Sequence, residues 1–199
     1  MREQKNTVNR TLNTKIMNYR KLVFALLLIT CSNIAGQVIS VEEVKGIDST
    51  YIMEEYKNAF GVRNKSATFK NTMPYFIEYA ELGGKLPEIA INNKAEMDVY
   101  VRIYFAPYFA EVKREFNNSE LLIIELFSNH NGVIRDFEIV YPKDIQLPIS
   151  AFEQFHKAIL SSNLRLVFDK THKAFAKSPW IGRTFSYNYN TIKEMANNH

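Results

Sequence analysis

The 199-residue chain has one cysteine, Cys31, seven glycines, six prolines and no apolar run long enough to cross a bilayer. A lone thiol closes no intramolecular disulfide, so stability must come from burial. The prolines are dispersed; there is no Pro-rich linker, internal repeat or charge block, which favours one compact unit over a tethered array. The longest apolar stretch, Leu22–Ile29, holds eight residues, against the roughly 20 a spanning helix needs. The four histidines, His130, His156, His172 and His199, form neither H-x-x-x-H nor H-E-x-x-H, so no metal site is expected. No G-x-S-x-G elbow, G-x-G-x-x-G or Walker pattern occurs, and Gly83-Gly84 stands alone. Nucleophilic catalysis, nucleotide binding and a cofactor therefore have no support.

What is present is enough to build a core: 46% of residues are hydrophobic and 23% charged. The formal charge of +4 is unevenly spread. Residues 1–36 carry six basic residues and one acid, which leaves nineteen basic and twenty acidic residues in 37–199, a net charge of −1. The local cluster Lys170, Lys173 and Lys177 does not change that balance, so nucleic acid is not an expected partner. Arg20-Lys21 before Leu22–Ile29, followed by small and polar residues up to Gly36, has the layout of a secretory signal peptide. Cleavage after Gly36 would leave Gln37 first and the mature chain free of cysteine. Met17 opens a compact n-region and is the expected start, with 1–16 an upstream extension. Lipid anchoring at Cys31 is the alternative. It would tether the protein to a membrane, although Thr30 stands where a small residue normally precedes such a cysteine. Either way the chain is expected to be exported to the periplasm or beyond.

Residues 37–95 are expected to form a strand and two short helices. QVISVEEV, 37–44, reads as an edge strand. Asp48-Ser49 can cap a helix over 50–60, with Ile52, Tyr56 and Phe60 at helical spacing. Thr72 and Pro74 start a second helix, with Phe76, Ile77 and Ala80 on one side, which ends at Gly83-Gly84. Residues 96–192 form the expected core. Asp98–Phe105 alternates, Val99, Val101, Ile103 and Phe105 against Asp98, Tyr100, Arg102 and Tyr104, and predicts a strand. Glu120–Phe127 predicts a central strand and Asn131-Gly132 a hairpin turn. Val133–Tyr141 predicts the return strand. Pro148 opens a helix with Ile149, Phe152, Phe155 and Ile159 on one stripe. Leu164–Phe168 and Ile181–Tyr189 predict further strands, and 193–199 a frayed polar tail. The order implies an α+β fold, an antiparallel sheet with helices on one face.

The segment LLIIELFSNHNGVIRDFEIVYPKDIQLPISAFEQFHKAI, residues 121–159, resembles the C-terminal domain of TonB-type energy transducers in its order of strand, Asn-Gly turn, return strand, loop and helix. The resemblance implies that β-β-α-β arrangement and a sheet edge able to bind a peptide by strand addition. It does not extend to energy transduction. The chain lacks that family's Pro-rich spacer, its Tyr-Pro before the first strand and its Trp directly after the helix. It is similar to small exported Gram-negative proteins of unknown function that reuse the fold.

Two sets of residues could carry function. Asp136 and Glu138, two apart on a strand, place both carboxylates on one face at roughly 7 Å, a spacing usable in acid–base hydrolysis. The simpler reading is a solvent face. Tyr100, Arg102 and Tyr104 should share one strand face, with Tyr108 following, and Trp180 and Arg183 repeat that composition near Tyr187 and Tyr189. Rigid amphipathic rings beside Arg suit recognition surfaces, while packing beneath the two N-terminal helices is the plainer role. His130 reads as a turn residue and His156 as half-buried packing. The expectation is an exported, non-enzymatic domain binding a peptide, protein or envelope partner through a sheet edge or tyrosine-rich face, with a periplasmic hydrolase built on Asp136 and Glu138 as the alternative.

Overall fold

The computed structural model describes residues 37–67, 69, 87–117, 120–172, 175 and 178–197. The leader, the helix expected from Thr72 to Gly84, and Lys173 and Lys177 lie outside the described residues. The described residues from Ile39 onward form one compact unit. It is α+β: a six-stranded antiparallel sheet with helices against it. The elements are β1 (Ser40–Lys45), β2 (Thr50–Glu55), β3 (Ala59–Asn64), β4 (Ile89–Ile91), α1 (Lys94–Tyr104), α2 (Ala106–Ala110), β5 (Leu121–Ser128), β6 (Ile134–Pro142), α3 (Ile149–Ser161), β7 (Leu166–Phe168), β8 (Ile181–Asn188) and α4 (Tyr189–Asn197). The sheet order is β1-β2-β3-β6-β5-β8, and β4 and β7 pair separately.

The centre forms where the pattern is strongest. Leu122, Ile124 and Leu126 of β5 lie opposite Phe137 and Ile139 of β6, joined by Val62 of β3 and Tyr51 of β2. All are fully buried on one face against Met97, Val101, Phe105, Phe152, Phe155 and Ile159. The β5–β6 turn uses Asn129, whose Oδ1 accepts from Asn131 and Val133 N–H, and Gly132 at φ +76°. A Cβ there would sit 2.1 Å from the Leu166 carbonyl oxygen, so Gly is required for conformation and for space. Pro148 N-caps α3, whose Phe152 and Phe155 descend onto the sheet.

Three expected elements are corrected. Residues 98–105 belong to α1 and its C-cap, not to a strand: Asn93 Oδ1 caps Glu96 N–H at 3.1 Å, Asn93 Nδ2 donates to Glu96 Oε2, and Met97, Val101 and Phe105 are buried at a four-residue spacing. Val99 and Ile103, expected to point inward with Val101, are exposed. Residues 50–60 are not a helix but most of the β2–β3 hairpin, closed by the Tyr56 N–H to Ala59 carbonyl bond. Their helical spacing loses to the burial of Tyr51 and Val62 against the core. The expected frayed tail is helical through Asn197, because α4 buries Tyr189 and Ile192.

Candidate functional site

The sheet face opposite the helices carries a line of charge. Strand register sets Ile52, Arg63, Glu138, Glu125 and Thr184 side by side across β2, β3, β6, β5 and β8. Asp136 stands one step along β6, opposite Phe127. Arg63 Nη2 reaches Glu54 Oε1 at 3.4 Å, and Tyr56 donates to the other oxygen of Glu54 at 2.7 Å. Tyr56 crosses Gly61, where any Cβ would press on its ring at 3.1 Å. Arg63 Nε is buried without a hydrogen-bond partner among the described residues.

Asp136 and Glu138 share this face, as their spacing predicts, but it is not a solvent face, since each is only 8% exposed. Asp136 Oδ1 accepts from Phe137 N–H at 2.8 Å. Burial pushes its carboxyl up to about 6, against the opposing pull of that N–H and of Arg63. At the end of the same face Trp180 stands edge-on to Phe127 at 5.0 Å, and Phe69 stacks on Phe127.

The six expected binding residues are not brought together. Tyr100, Arg102 and Tyr104 lie on α1, not on a strand face. Tyr100 donates to Glu96 at 2.8 Å and packs on Tyr104, which meets Phe155 edge-on. Tyr108 is half-buried on α2, and Arg102 and Arg183 are exposed on different elements. Tyr187 and Tyr189 are core residues whose hydroxyls are taken by Asp98 and by the Leu121 carbonyl.

A shallow depression of about 470 Å³ lies at the sheet end, lined by Asp48, Ser49, Thr50, Asn64, Lys65 and Ser66. Beside it Nδ1 of His156 lies 3.3 Å from Asn64 Nδ2 and 3.4 Å from Tyr51 Oη. The Asn64 amide nitrogen can only donate there, and burial lowers the imidazole pKa against the opposing pull of Glu153. His156 is half-buried, as its place at the margin of the α3 stripe predicts. Next to it Glu153, 2% exposed, accepts N–H bonds from Ile47 (2.9 Å), Asp48 (2.6 Å) and Ser49 (3.0 Å), tying the β1–β2 turn to α3. Sequence reasoning missed this tether. Its only signal is an acid among Phe152 and Phe155 on an apolar stripe.

The remaining feature is the free edge of β1. The Gly46 N–H to Ser49 carbonyl bond fixes the ladder phase, so Val44, Glu42 and Ser40 turn their backbone groups to β2. Those of Val41, Glu43 and Lys45 point outward, with no partner among the described residues. Val38, Ile39 and Val41 are 41%, 61% and 62% exposed. Both edges carry exposed polar side chains, Ser40, Glu42, Glu43 and Lys45 on β1 and Arg183, Thr184 and Ser186 on β8, but β8 exposes no large apolar one. Among the described residues no group of three or more His, Cys, Asp or Glu could hold a metal ion, and no helix is long and apolar enough to cross a membrane.

No protein-family model matches the chain, and no curated protein matches it. Among solved structures the chain is similar to a DUF5043 family protein from Bacteroides uniformis, at 12% identity and a TM-score of 0.53, over 77% of this chain and 89% of that one. The likeness is one of fold.

Proposed function

We propose that this chain is an exported, non-enzymatic interaction domain that takes an extended segment of a peptide, protein or envelope partner as an added strand along β1. The carrying observation is the β1 edge: outward backbone donors and acceptors beside exposed Ile39 and Val41, opposite an edge with no exposed large apolar side chain. The export layout of residues 1–36 and the resemblance of 121–159 to TonB C-terminal domains support the same reading. The tyrosine-rich face loses its support, because Tyr100 and Tyr104 are engaged with Glu96 and Phe155. A hydrolase built on Asp136 and Glu138 has their shielding in its favour. The depression given by the described residues is lined by other side chains and not by this pair.

The test is a photo-activatable side chain placed at Val41, and separately at Arg183, in cells making the full chain. Adducts are expected at Val41 whose cross-linked peptide comes from one contiguous extended segment. Equal capture at both positions, or none at Val41, would overturn the proposal.

A further inference from the structure

We propose that the strand added to β1 is β1 of a second copy, antiparallel, about a two-fold axis through Val41. The proposal rests on the strand-addition reading and names its partner.

A two-fold axis joining two such edges antiparallel stands perpendicular to the sheet. It keeps each face on its own side, so only residues both odd or both even in number can lie opposite one another. That leaves few registers, each centred on one residue. Centring on Glu42 or on Glu43 sets that carboxylate against itself, which is destabilising. Centring on Val44 leaves only Glu43–Lys45 to pair before the turn at Gly46–Ser49. Centring on Ser40 leaves no complete outward pair, since Val41 lies opposite Ile39 twice and the Ile39 N–H is already bonded to the Glu55 carbonyl, whereas centring on Val41 meets that bond only at the flanking Ile39–Glu43 pairs, which keep the Glu43 N–H to Ile39 carbonyl bond alone. Centring on Val41 places Val41 on Val41, where both copies have outward backbone groups and exchange two hydrogen bonds.

The side chains fit the same register. On the charged face Ile39 lies opposite Glu43, and on the helix-covered face Ser40 lies opposite Glu42. No like charges stand directly opposed. Exposed Val41 and Ile39 gain cover, and the two six-stranded sheets become one continuous sheet of twelve strands.

Edge pairing alone covers less than the roughly 1,000 Å² of a stable interface, so the dimer is expected to form at micromolar concentrations. Sedimentation of the full chain carrying Cys31→Ser, across about 5–200 µM, should shift from monomer to dimer. Val41→Lys, at a 62% exposed position, should keep the melting temperature and abolish the shift. Under oxidation Val41→Cys should give at least about tenfold more covalent dimer than Glu43→Cys. The central pair has Cα atoms about 5.5 Å apart, within disulfide reach, whereas the two copies of residue 43 are about 13 Å apart along the strands. A monomer across the whole range, a Val41→Lys dimer, or equal cross-linking at residue 43 would overturn the proposal. A Val41 photo-adduct with a different protein, from a chain that sediments as a monomer, keeps strand addition and removes the second copy. No adduct of either kind removes both.

Discussion

Replacing Glu153 by Gln, and separately by Ala, tests how the β1–β2 turn is held. Its carboxylate accepts three backbone N–H bonds, from Ile47, Asp48 and Ser49 at 2.9, 2.6 and 3.0 Å. Hydrogen bonds to a charged group contribute about 1.5–3 kcal/mol each, but the turn is at the surface and its freed N–H groups can bond water. Gln keeps one acceptor oxygen and turns an NH₂ group toward donors. The expected loss is therefore about 2–3 kcal/mol for Gln and about 3–4 kcal/mol for Ala. The exposed Lys157–Asp48 pair beside it is worth too little to compensate.

The pH dependence separates this tether from simple packing. Burial opposes ionisation of Glu153, yet the Asp48 and Ile47 N–H bonds outweigh it and hold the carboxyl below the usual glutamate value of 4.5. A lowered folded-state pKa contributes stability that is present above the unfolded value and lost as pH falls through the folded one. The gap between wild type and Glu153→Gln should be full at pH near 7 and close progressively below 4.5. Urea denaturation at neutral and acid pH measures the gap, and hydrogen exchange at Ile47–Ser49 should accelerate about a hundredfold in the variant. A Gln variant within about 0.5 kcal/mol of wild type at neutral pH, or a gap that ignores pH, would refute the reasoning.

Asp136→Asn should do the opposite. The folded carboxyl lies at about 6, above its ordinary 3.8, so its contribution is present at low pH and fades as pH rises through 6, with wild type falling up to about 3 kcal/mol relative to the Asn variant; a pH-independent difference in denaturation midpoints would count against it. Gly132→Ala should cost about 3 kcal/mol or more, since the new Cβ meets the Leu166 carbonyl at 2.1 Å and φ is +76°, and a melting temperature unchanged by the substitution would contradict this. Tyr187→Phe removes the hydroxyl that donates to Asp98 at 2.8 Å and accepts from Lys94 at 3.1 Å; a loss of about 1 kcal/mol is expected by thermal denaturation.

The segments readable from sequence were those where only one period is present. Leu121–Ile124 is too short and too apolar for an exposed helix, and Asn131-Gly132 needs a turn, so β5, the turn and β6 were legible, though not the register shift at Phe127–Ser128. Residues 97–105 carry two periods at once, since Val101 and Phe105 belong both to the alternating set and to the four-residue set with Met97. The Asn93–Glu96 capping pair decides between them, and it lies outside the alternating window. Asp136 and Glu138 were placed on the correct face. Their shielding was not legible, because Arg63, which stands beside Glu138, comes from a hairpin whose Ile52, Tyr56 and Phe60 mimic a helical stripe.

The β1 edge was visible in QVISVEEV as β-branched residues at the start of the compact unit, yet its use depends on something the strand itself does not encode. Six residues paired on one side only form a weak element. Its far end is fixed because Glu153 holds three successive N–H groups of the turn, and Gly46 leaves room for that carboxylate at 3.1 Å from where a Cβ would stand. The outward phase of Val41, Glu43 and Lys45 follows from the Gly46–Ser49 bond of that same turn. A helix residue therefore helps set which backbone groups the edge offers, linking the buried acid on α3 to the edge proposed to receive a partner strand.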